Sequence, residues 1–487
     1  MISLIAVPVL SCTADVDNVH QNGADMAEER GVPANGGTDE PNDDTVDELR
    51  FPDLPNVNFG EYEFRILNTG EDFFPWILKT LVVEEETGEA LNDSIFRRNR
   101  RIEERFGFTL VQIDATGPSP VRDRARLSIQ AGSDDFDLVM TGPGYAIPLV
   151  QEGMFEMLDR IPYIDLSQPW WDHDMIRDYS IGGRVLFVAS DFTFNHYSVT
   201  QVLLFNKELH ADLGLDCPYQ LVNEGRWTIE RLGEMGRAAV RDLNADGVIN
   251  HHDQLGLVSF SHIKAITMMN GIGARYVIKD ADDMPQLNMN TEGFISRFIA
   301  LFDILTDGNW VYDSSRPDAP VHPNDLFLNN QALFWADILN WATTFRAMDS
   351  DFGILPMPKL NEQQEYYIAG VGIPHTMNIP ITSTDLERTG IILEALSAES
   401  RITTRPVYFD TMLVNQVMNR DEESAEMLDI IFANRVYEKG RHFWNAHMVG
   451  PVANAFRDFD RDIVSRIEMH QAAATADIER TVAAFLE

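Results

Sequence analysis

Cysteine is almost missing from this chain: Cys12 and Cys217 are the only two in 487 residues. Two thiols more than two hundred positions apart make neither a disulfide framework nor a thiolate zinc site. Basic residues are scarce as well, 38 Lys and Arg against 77 Asp and Glu, for a formal charge of −39. Such a surface repels phosphate backbones and excludes nucleic acid as a partner. Beyond the first twelve residues no run is long and apolar enough to span a bilayer. No G-x-S-x-G elbow, H-E-x-x-H helix, P-loop or G-x-G-x-x-G turn occurs, and the twelve histidines are scattered. The common hydrolase, zincin and nucleotide-binding signatures are therefore absent.

Material for burial is present: 44% of residues are hydrophobic and 10% aromatic, over a length that calls for two or three packed units. The opening Met1-Ile-Ser-Leu-Ile-Ala-Val-Pro-Val-Leu-Ser-Cys12 is an apolar run ending in serine and cysteine. It is similar to the end of a bacterial lipoprotein signal peptide, with Cys12 as the lipidated residue. Residues 13–53 carry many Asp, Glu, Asn, Gly and Pro and almost no large apolar side chains, the composition of a disordered acidic linker. An apolar plug, a cysteine and a tether predict an anchored protein on the outer face of the cytoplasmic membrane.

From Leu54 onward the pattern is α/β. Tyr62–Leu67 alternates as a strand and a helix capped by Asp93 follows. Phe108–Ile113 is the next strand, with a helix over about 120–131 and a strand over Phe136–Met140. That rhythm predicts a parallel sheet flanked by helices, with ligand contacts beyond the carboxyl ends of its strands, in the loops 68–76 and 141–145. Two further strands are expected over Val185–Ser190 and Ser198–Phe205. A helix runs to Gly214, another is capped by Thr228, and a strand lies over Gln254–Phe260. The last third reads as helical, ending in helices over 458–470 and 475–486.

One stretch has the register of a calcium loop: Asp242-Leu-Asn-Ala-Asp-Gly-Val-Ile-Asn-His-His-Asp253. Oxygen-bearing side chains fall at positions one, three, five, nine and twelve (Asp242, Asn244, Asp246, Asn250, Asp253). Gly247 occupies the sharp turn at six, and the Val248 carbonyl position seven. Asp253 replaces the usual bidentate glutamate. The same residues also suit metal-free Asx turns. A strand follows the loop instead of a second helix, so a structural Ca2+ is expected rather than a paired sensor.

Several segments in order resemble a known family. These are Phe136-Asp-Leu-Val-Met with Gly153-Met-Phe-Glu-Met-Leu-Asp159, Leu203-Leu-Phe-Asn-Lys-Glu-Leu209, and Phe327-Leu-Asn-Asn-Gln-Ala-Leu-Phe-Trp335, which is similar to a helix start. Phe352-Gly-Ile-Leu-Pro-Met-Pro358 is the last. Together they resemble family-1 extracellular solute-binding proteins of ABC importers, and a clostridial-type sugar-binding subgroup in particular. Glu85–Asp93, Trp170-Trp171 and Ala395–Ser400 also match that subgroup. The resemblance implies a two-lobed periplasmic-binding-protein type II fold with hinge crossovers near 197–199 and 367–372 and a helical C-terminal segment. Lobe one would comprise 54–197 plus about 370–425. Lobe two would comprise 198–369 plus about 426–487 and hold the calcium loop 242–253. It further implies a monomer that captures a mono- or oligosaccharide, delivers it to ABC permease subunits and performs no chemistry. A secreted carbohydrate-active enzyme and a calcium-stabilised adhesion module remain the alternatives.

Sugar clefts pair aromatic faces with hydrogen-bonding side chains. By position the candidates are Trp76, Tyr145, Asp191, Asn195, Tyr197, Trp335, Trp341 and Trp444. Trp170-Trp171 reads as core packing.

Overall fold

The computed structural model describes residues 51–70, 73, 80–312, 314, 319–411 and 423–486. Cys12, the acidic segment before Phe51 and Trp76 lie outside the described residues.

The first strand, β1 (Tyr62–Thr69), alternates toward a buried face through Phe64 and Ile66. It leads to the helix Ala90–Phe106, which Gly107 ends in the left-handed conformation at φ 64°. The cap at its start is Glu89, whose carboxylate accepts from the Leu91 and Asn92 N–H groups; Asp93 lies one turn inside. This corrects the expected cap: Asp93 instead accepts from the Thr87 and Gly88 amides, which tightens the approach to the helix. β2 (Phe108–Ala115) runs parallel to β1 in an eight-residue register, and β3 (Leu138–Thr141) runs parallel to β1 on its other edge.

No regular strand covers Val185–Ser190. Val188 makes a single bridge to Met377 and Ser190 one to Trp171. The Ser190 hydroxyl and carbonyl accept from Phe192 and Thr193, which turns the chain before a ladder can extend. A helical turn, Asn195–Ser198, precedes β4 (Gln201–Asn206). The Asn206 side chain then caps the helix Lys207–Leu213, and Gly214 closes it. Thr228 caps Ile229–Ala238 as expected, with Ile229, Leu232 and Met235 buried. β5 (Leu255–Val258) comes next, then the small hairpin β6 (Val277–Lys279) and β7 (Pro285–Leu287). Phe327–Trp335 is not a helix start. The helix Pro323–Leu328 ends there, Asn330 takes a left-handed φ of 58°, and β8 (Ala332–Ile338) begins. β9 (Phe352–Leu355), β10 (Ala369–Gly370), β11 (Thr376–Asn378) and β12 (Arg435–Val436) complete the strands of the described residues. The expected pair of terminal helices is one, Ile463–Leu486, because the alanine-rich stretch around Ala474 contains no breaker.

Two four-stranded sheets result, ordered β11-β3-β1-β2 and β5-β8-β4-β9. In each, one strand opposes its neighbours: β11 is antiparallel to β3, and β4 is antiparallel to β8 and β9. Both opposing strands come straight from the crossing between sheets. There Thr200 pairs with Val371, and the Gly372 amide donates to the Val199 carbonyl at 2.6 Å. β12 lies parallel to β10 as a third crossing segment. Among the described residues no helix is long and apolar enough to cross a membrane.

Close backbone approach holds the second sheet to its helix. A Cβ on Gly256 of β5 would stand 2.3 Å from the Gly236 carbonyl oxygen, whereas one on Gly450, inside the helix Asn445–Asp458, would meet nothing within 4 Å. Gly256→Ala should therefore lower unfolding free energy by about 1–3 kcal/mol through overpacking. Gly450→Ala should raise it by about 0.5–1 kcal/mol. Urea denaturation of the two variants beside the parent checks both signs.

Candidate functional site

Strand direction positions the site. In the first sheet Thr376 faces Thr141 across β11 and β3, and the register of β1 and β3 places Thr69 beside Thr141. In the second, Gln201 at the start of β4 faces Ile338 at the end of β8. Each sheet thus turns the carboxyl ends of its parallel strands toward the crossing segments, where α/β sheets hold ligands.

On the first sheet's edge the Oγ1 atoms of Thr69 and Thr141 and the Nδ2 of Asn195 are buried without a partner. Asn195 is fixed through its other atom, with Oδ1 accepting from the His375 amide at 2.7 Å. Asn68, Met140, Asn195 and His375 line a cavity of about 10 Å3, room for roughly one water. Tyr145 stands half-buried in the first turn of the helix Pro143–Gln151. Each unpaired buried polar group costs about 1–3 kcal/mol, so such a row calls for a partner from outside the chain.

On the second sheet's edge, Asp337 and Trp335 share one face of β8. Trp341 Nε1 donates to Asp337 Oδ2 at 3.1 Å. Burial pushes the Asp337 carboxyl up to about 7, against the Ile338 amide, the charge of Arg441 and the Trp341 donor, which favour ionisation. Trp335 is fully buried among Phe327, Phe345 and Phe260, so its ring has no open face, though its Nε1 has no partner. Trp341 and Phe260 are half-buried and remain available as faces.

The short helix Lys439–Phe443 joins the two edges. A Cβ on Gly144 would stand 3.1 Å from the His442 carbonyl on one side, and one on Gly440 would stand 2.6 Å from Tyr276 Cβ on the other. His442 Nε2 lies 2.6 Å from the Gly372 carbonyl. Arg441 is buried, and its Nη1 lacks a partner. Trp444, one residue past this helix, is buried and donates to Thr481 Oγ1 at 3.0 Å.

Asp191 and Tyr197 belong to a different arrangement. The Tyr197 hydroxyl donates to Asp191 at 2.9 Å, while Arg401 and Arg405 approach the same carboxylate at 3.2 and 3.4 Å. Burial raises the Asp191 carboxyl despite both guanidiniums. The Arg435 guanidinium lies 4.9 Å over the Tyr197 ring and 3.0 Å from Asp172. Asp172 also accepts from the Tyr437 hydroxyl at 2.6 Å. Burial works against charge on Asp172, but Arg435 above all holds its carboxyl below the usual carboxylate range. His196, 3.6 Å from Asp172, is pushed down to about 3 by burial and faces it as a neutral ring at pH 7. The crossing is therefore pinned by a buried charge network.

Of the eight ligand candidates, the structure brings Tyr145, Asn195 and Trp341 to the two carboxyl edges. Trp335 and Trp444 lie in packing, Asp191 and Tyr197 in the charge network, and Trp76 outside the described residues. Thr69, Thr141, Asp337 and Arg441 escaped sequence reading. Asp337 carried a signal, an aspartate inside an otherwise apolar strand; the two threonines fall within the loops 68–76 and 141–145 expected to contact ligand, but nothing singled them out there.

In the loop 242–253 the turn skeleton is complete. Gly247 has φ 79° and donates to Asp242, Asp246 donates to Asn244, Val248 to Asp246, and His252 to Asn250. The Asp253 oxygens accept from the Leu243 and Asn250 amides at 2.9 Å each. Among the described residues, no three His, Cys, Asp or Glu side chains gather as a metal cluster. The skeleton fits a cation loop, then, while its carboxylates alone do not converge on one.

No protein-family model matches the sequence, and no curated protein does. Solved structures do. The ABC substrate-binding protein Lmo0181 from Listeria monocytogenes, in complex with cycloalternan, aligns with TM-score 0.55 at 11% identity, over 86% of this chain and 99% of that one. A cyclo/maltodextrin-binding protein complexed with maltotetraose gives 0.54 at 13%, over 87% and 97%. UgpB from Mycobacterium tuberculosis, in complex with glycerophosphocholine, gives 0.54 at 14%, over 87% and 99%. These likenesses establish the two-lobed periplasmic-binding-protein fold.

Removing one partner of the crossing network leaves the other charged and buried. Arg435→Met should cost about 3–5 kcal/mol of stability. Adding Asp172→Asn should recover part of the loss. A double-mutant cycle by urea denaturation measures both, and an additive cycle would separate the two residues.

Proposed function

We propose that this protein is the extracellular solute-binding component of an ABC importer, and that it captures a carbohydrate between its lobes. The observation that carries the reading is the row of unpaired, buried hydrogen-bonding groups at the facing carboxyl edges: Thr69, Thr141, Asn195 and Arg441. They stand with the Asp337 carboxyl and the half-buried face of Trp341. Sugar hydroxyls donate and accept at once, and a pyranose offers a C–H face to an indole. The fold supports the same reading, since solved proteins that share it include complexes with cycloalternan and maltotetraose. Lobe one takes 54–197 plus about 370–425, and lobe two takes 198–369 plus about 426–487. Lipidation at Cys12 tethers the chain to the outer face of the cytoplasmic membrane through the acidic linker, and a monomer passes its solute to the permease subunits without chemical change.

Thermal denaturation of the protein against a panel of oligosaccharides tests this. One carbohydrate class should raise the melting temperature and come through unconsumed; hydrolysis of the sugar would overturn the reading. The Asp337 value of about 7 gives the pH dependence its sign. Ionised above that value, the carboxylate accepts two hydroxyls, so affinity rises from pH 6 to 8. Asp337→Asn should flatten that rise and weaken binding by about tenfold or more, the worth of about 1.4 kcal/mol.

The loop 242–253 binds one structural Ca2+ through Asp242, Asn244, Asp246, Asn250, Asp253 and the Val248 carbonyl, a set supported by its register and turn skeleton. At a calcium concentration about a hundredfold over Kd the fold gains about 2.7 kcal/mol. Calorimetry in EDTA and in excess calcium should separate two melting temperatures; identical values would remove the metal from the account.

A further inference from the structure

The helices Asn445–Asp458 and Ile463–Leu486 pack side by side, and a histidine from each meets across the seam. His447 Nδ1 and His470 Nδ1 stand 3.4 Å apart. That is long for a hydrogen bond between nitrogens, whose usual range is about 2.7–3.2 Å. It matches another geometry closely: two nitrogens bound to one tetrahedral ion at about 2.0–2.1 Å lie roughly 3.3–3.4 Å apart. The other nitrogen of His447 completes the pattern. Its Nε2 lies 3.4 Å from Asp477 Oδ2, about two turns past His470 on the same helix face. A carboxylate there keeps the proton on Nε2 and leaves the Nδ1 lone pair directed at His470, which is how carboxylates orient metal-bound histidines. Arg480 also touches Asp477, so the carboxylate is held in place from its far side. Both imidazoles are half-buried, so each keeps some access to solvent.

We propose that His447 and His470 form a two-imidazole site for a borderline divalent ion, zinc or copper(II), with Asp477 as the positioning residue for His447. Among the described residues no group of three His, Cys, Asp or Glu side chains gathers to hold a metal, so water fills the remaining positions. Imidazole nitrogen suits zinc and copper, while the all-oxygen loop at 242–253 suits calcium, so the two sites sort ions by ligand chemistry. Nothing in the binding step changes oxidation state; neutral imidazoles displace two waters of the hydrated ion. The bound ion clips the two helices together close to Thr481. That hydroxyl accepts from Trp444 at 3.0 Å and from Gln151 at 2.9 Å, on the segment that joins the sheet edges.

Zinc binding is measured by titration calorimetry at pH 7.5 on the full chain, in saturating calcium and with no carbohydrate present, so the outcome is independent of the solute reading. The parent should bind one zinc that His447→Gln and His470→Gln each weaken by at least about tenfold, and Asp477→Asn by about 10–100-fold. Equal zinc affinity in the parent and both histidine variants overturns the proposal, as does no binding by the parent below millimolar zinc. Copper(II) electron paramagnetic resonance on the unaltered protein supplies a readout that needs no variant. Hyperfine structure from two nitrogens supports the pair, and none or one contradicts it.

Discussion

The direction of two strands governs the molecule. Thr200 and Val371 pair where the chain crosses between sheets, and each crossing runs directly into a strand, β4 on one side and β11 on the other. Because those strands enter their sheets antiparallel to β8 and β3, the carboxyl ends of the parallel strands face back toward the crossing. The two edges that can hold a ligand are thereby turned toward each other. Had either strand entered parallel, its sheet would present amino ends there instead, and the unpaired threonines and Asp337 would lie remote from one another.

Charge and aromatic surface then divide the labour. The crossing carries the ionic burden, with Arg435 between Asp172 and the Tyr197 ring and with Asp191 held by Arg401 and Arg405. Such buried pairs are costly to break and contribute little net stability when intact, so their effect is to hold one geometry where the backbone crosses three times. The edges carry groups of another kind: two short hydroxyls and an amide nitrogen without partners, a carboxyl with a value near 7, and a half-buried indole that donates to that carboxyl. His196 Nδ1 and Arg435 Nε in the crossing also lack hydrogen-bond partners. The crossing therefore differs from the edges in its ion pairs, which fix one geometry for a pivot, and not in being fully satisfied.

How much of this could be read from the chain depends on the range of the contact. Local chemistry was legible: Asn206 and Gly214 bracket their helix, Thr228 caps the next, Gly247 turns its loop, and Trp170 and Trp171 are core. The three parallel strands of the first sheet followed from strand and helix periods alone; the antiparallel β11, from residues 376–378, did not. What failed were places where tertiary contacts outvote pattern. The apolar run 185–190 looks like a strand, but its neighbours in space offer single bridges. The residues around Trp335 look helical beside their family resemblance, yet pairing with β4 makes them a strand and buries the indole. Asp191 and Tyr197 are ligand candidates by their place at the crossing, beside Asn195, but arginines more than two hundred positions later share their bonds. Thr69 and Thr141 fall inside the loops that the strand pattern marks, 68–76 and 141–145, but nothing local singles them out there, since their interest lies in a partner they lack.

The central claim is that the two sheets close on a ligand about the pinned crossing. Distance measurement between spin labels tests it most directly. Labels are placed at exposed Leu127 over the first sheet and exposed Glu234 over the second, with Cys12 and Cys217 replaced by serine. With the carbohydrate that most raises the melting temperature, the distance distribution should shorten and narrow. A distribution unchanged by that carbohydrate would contradict closure and, with it, the account of the facing edges as a trap.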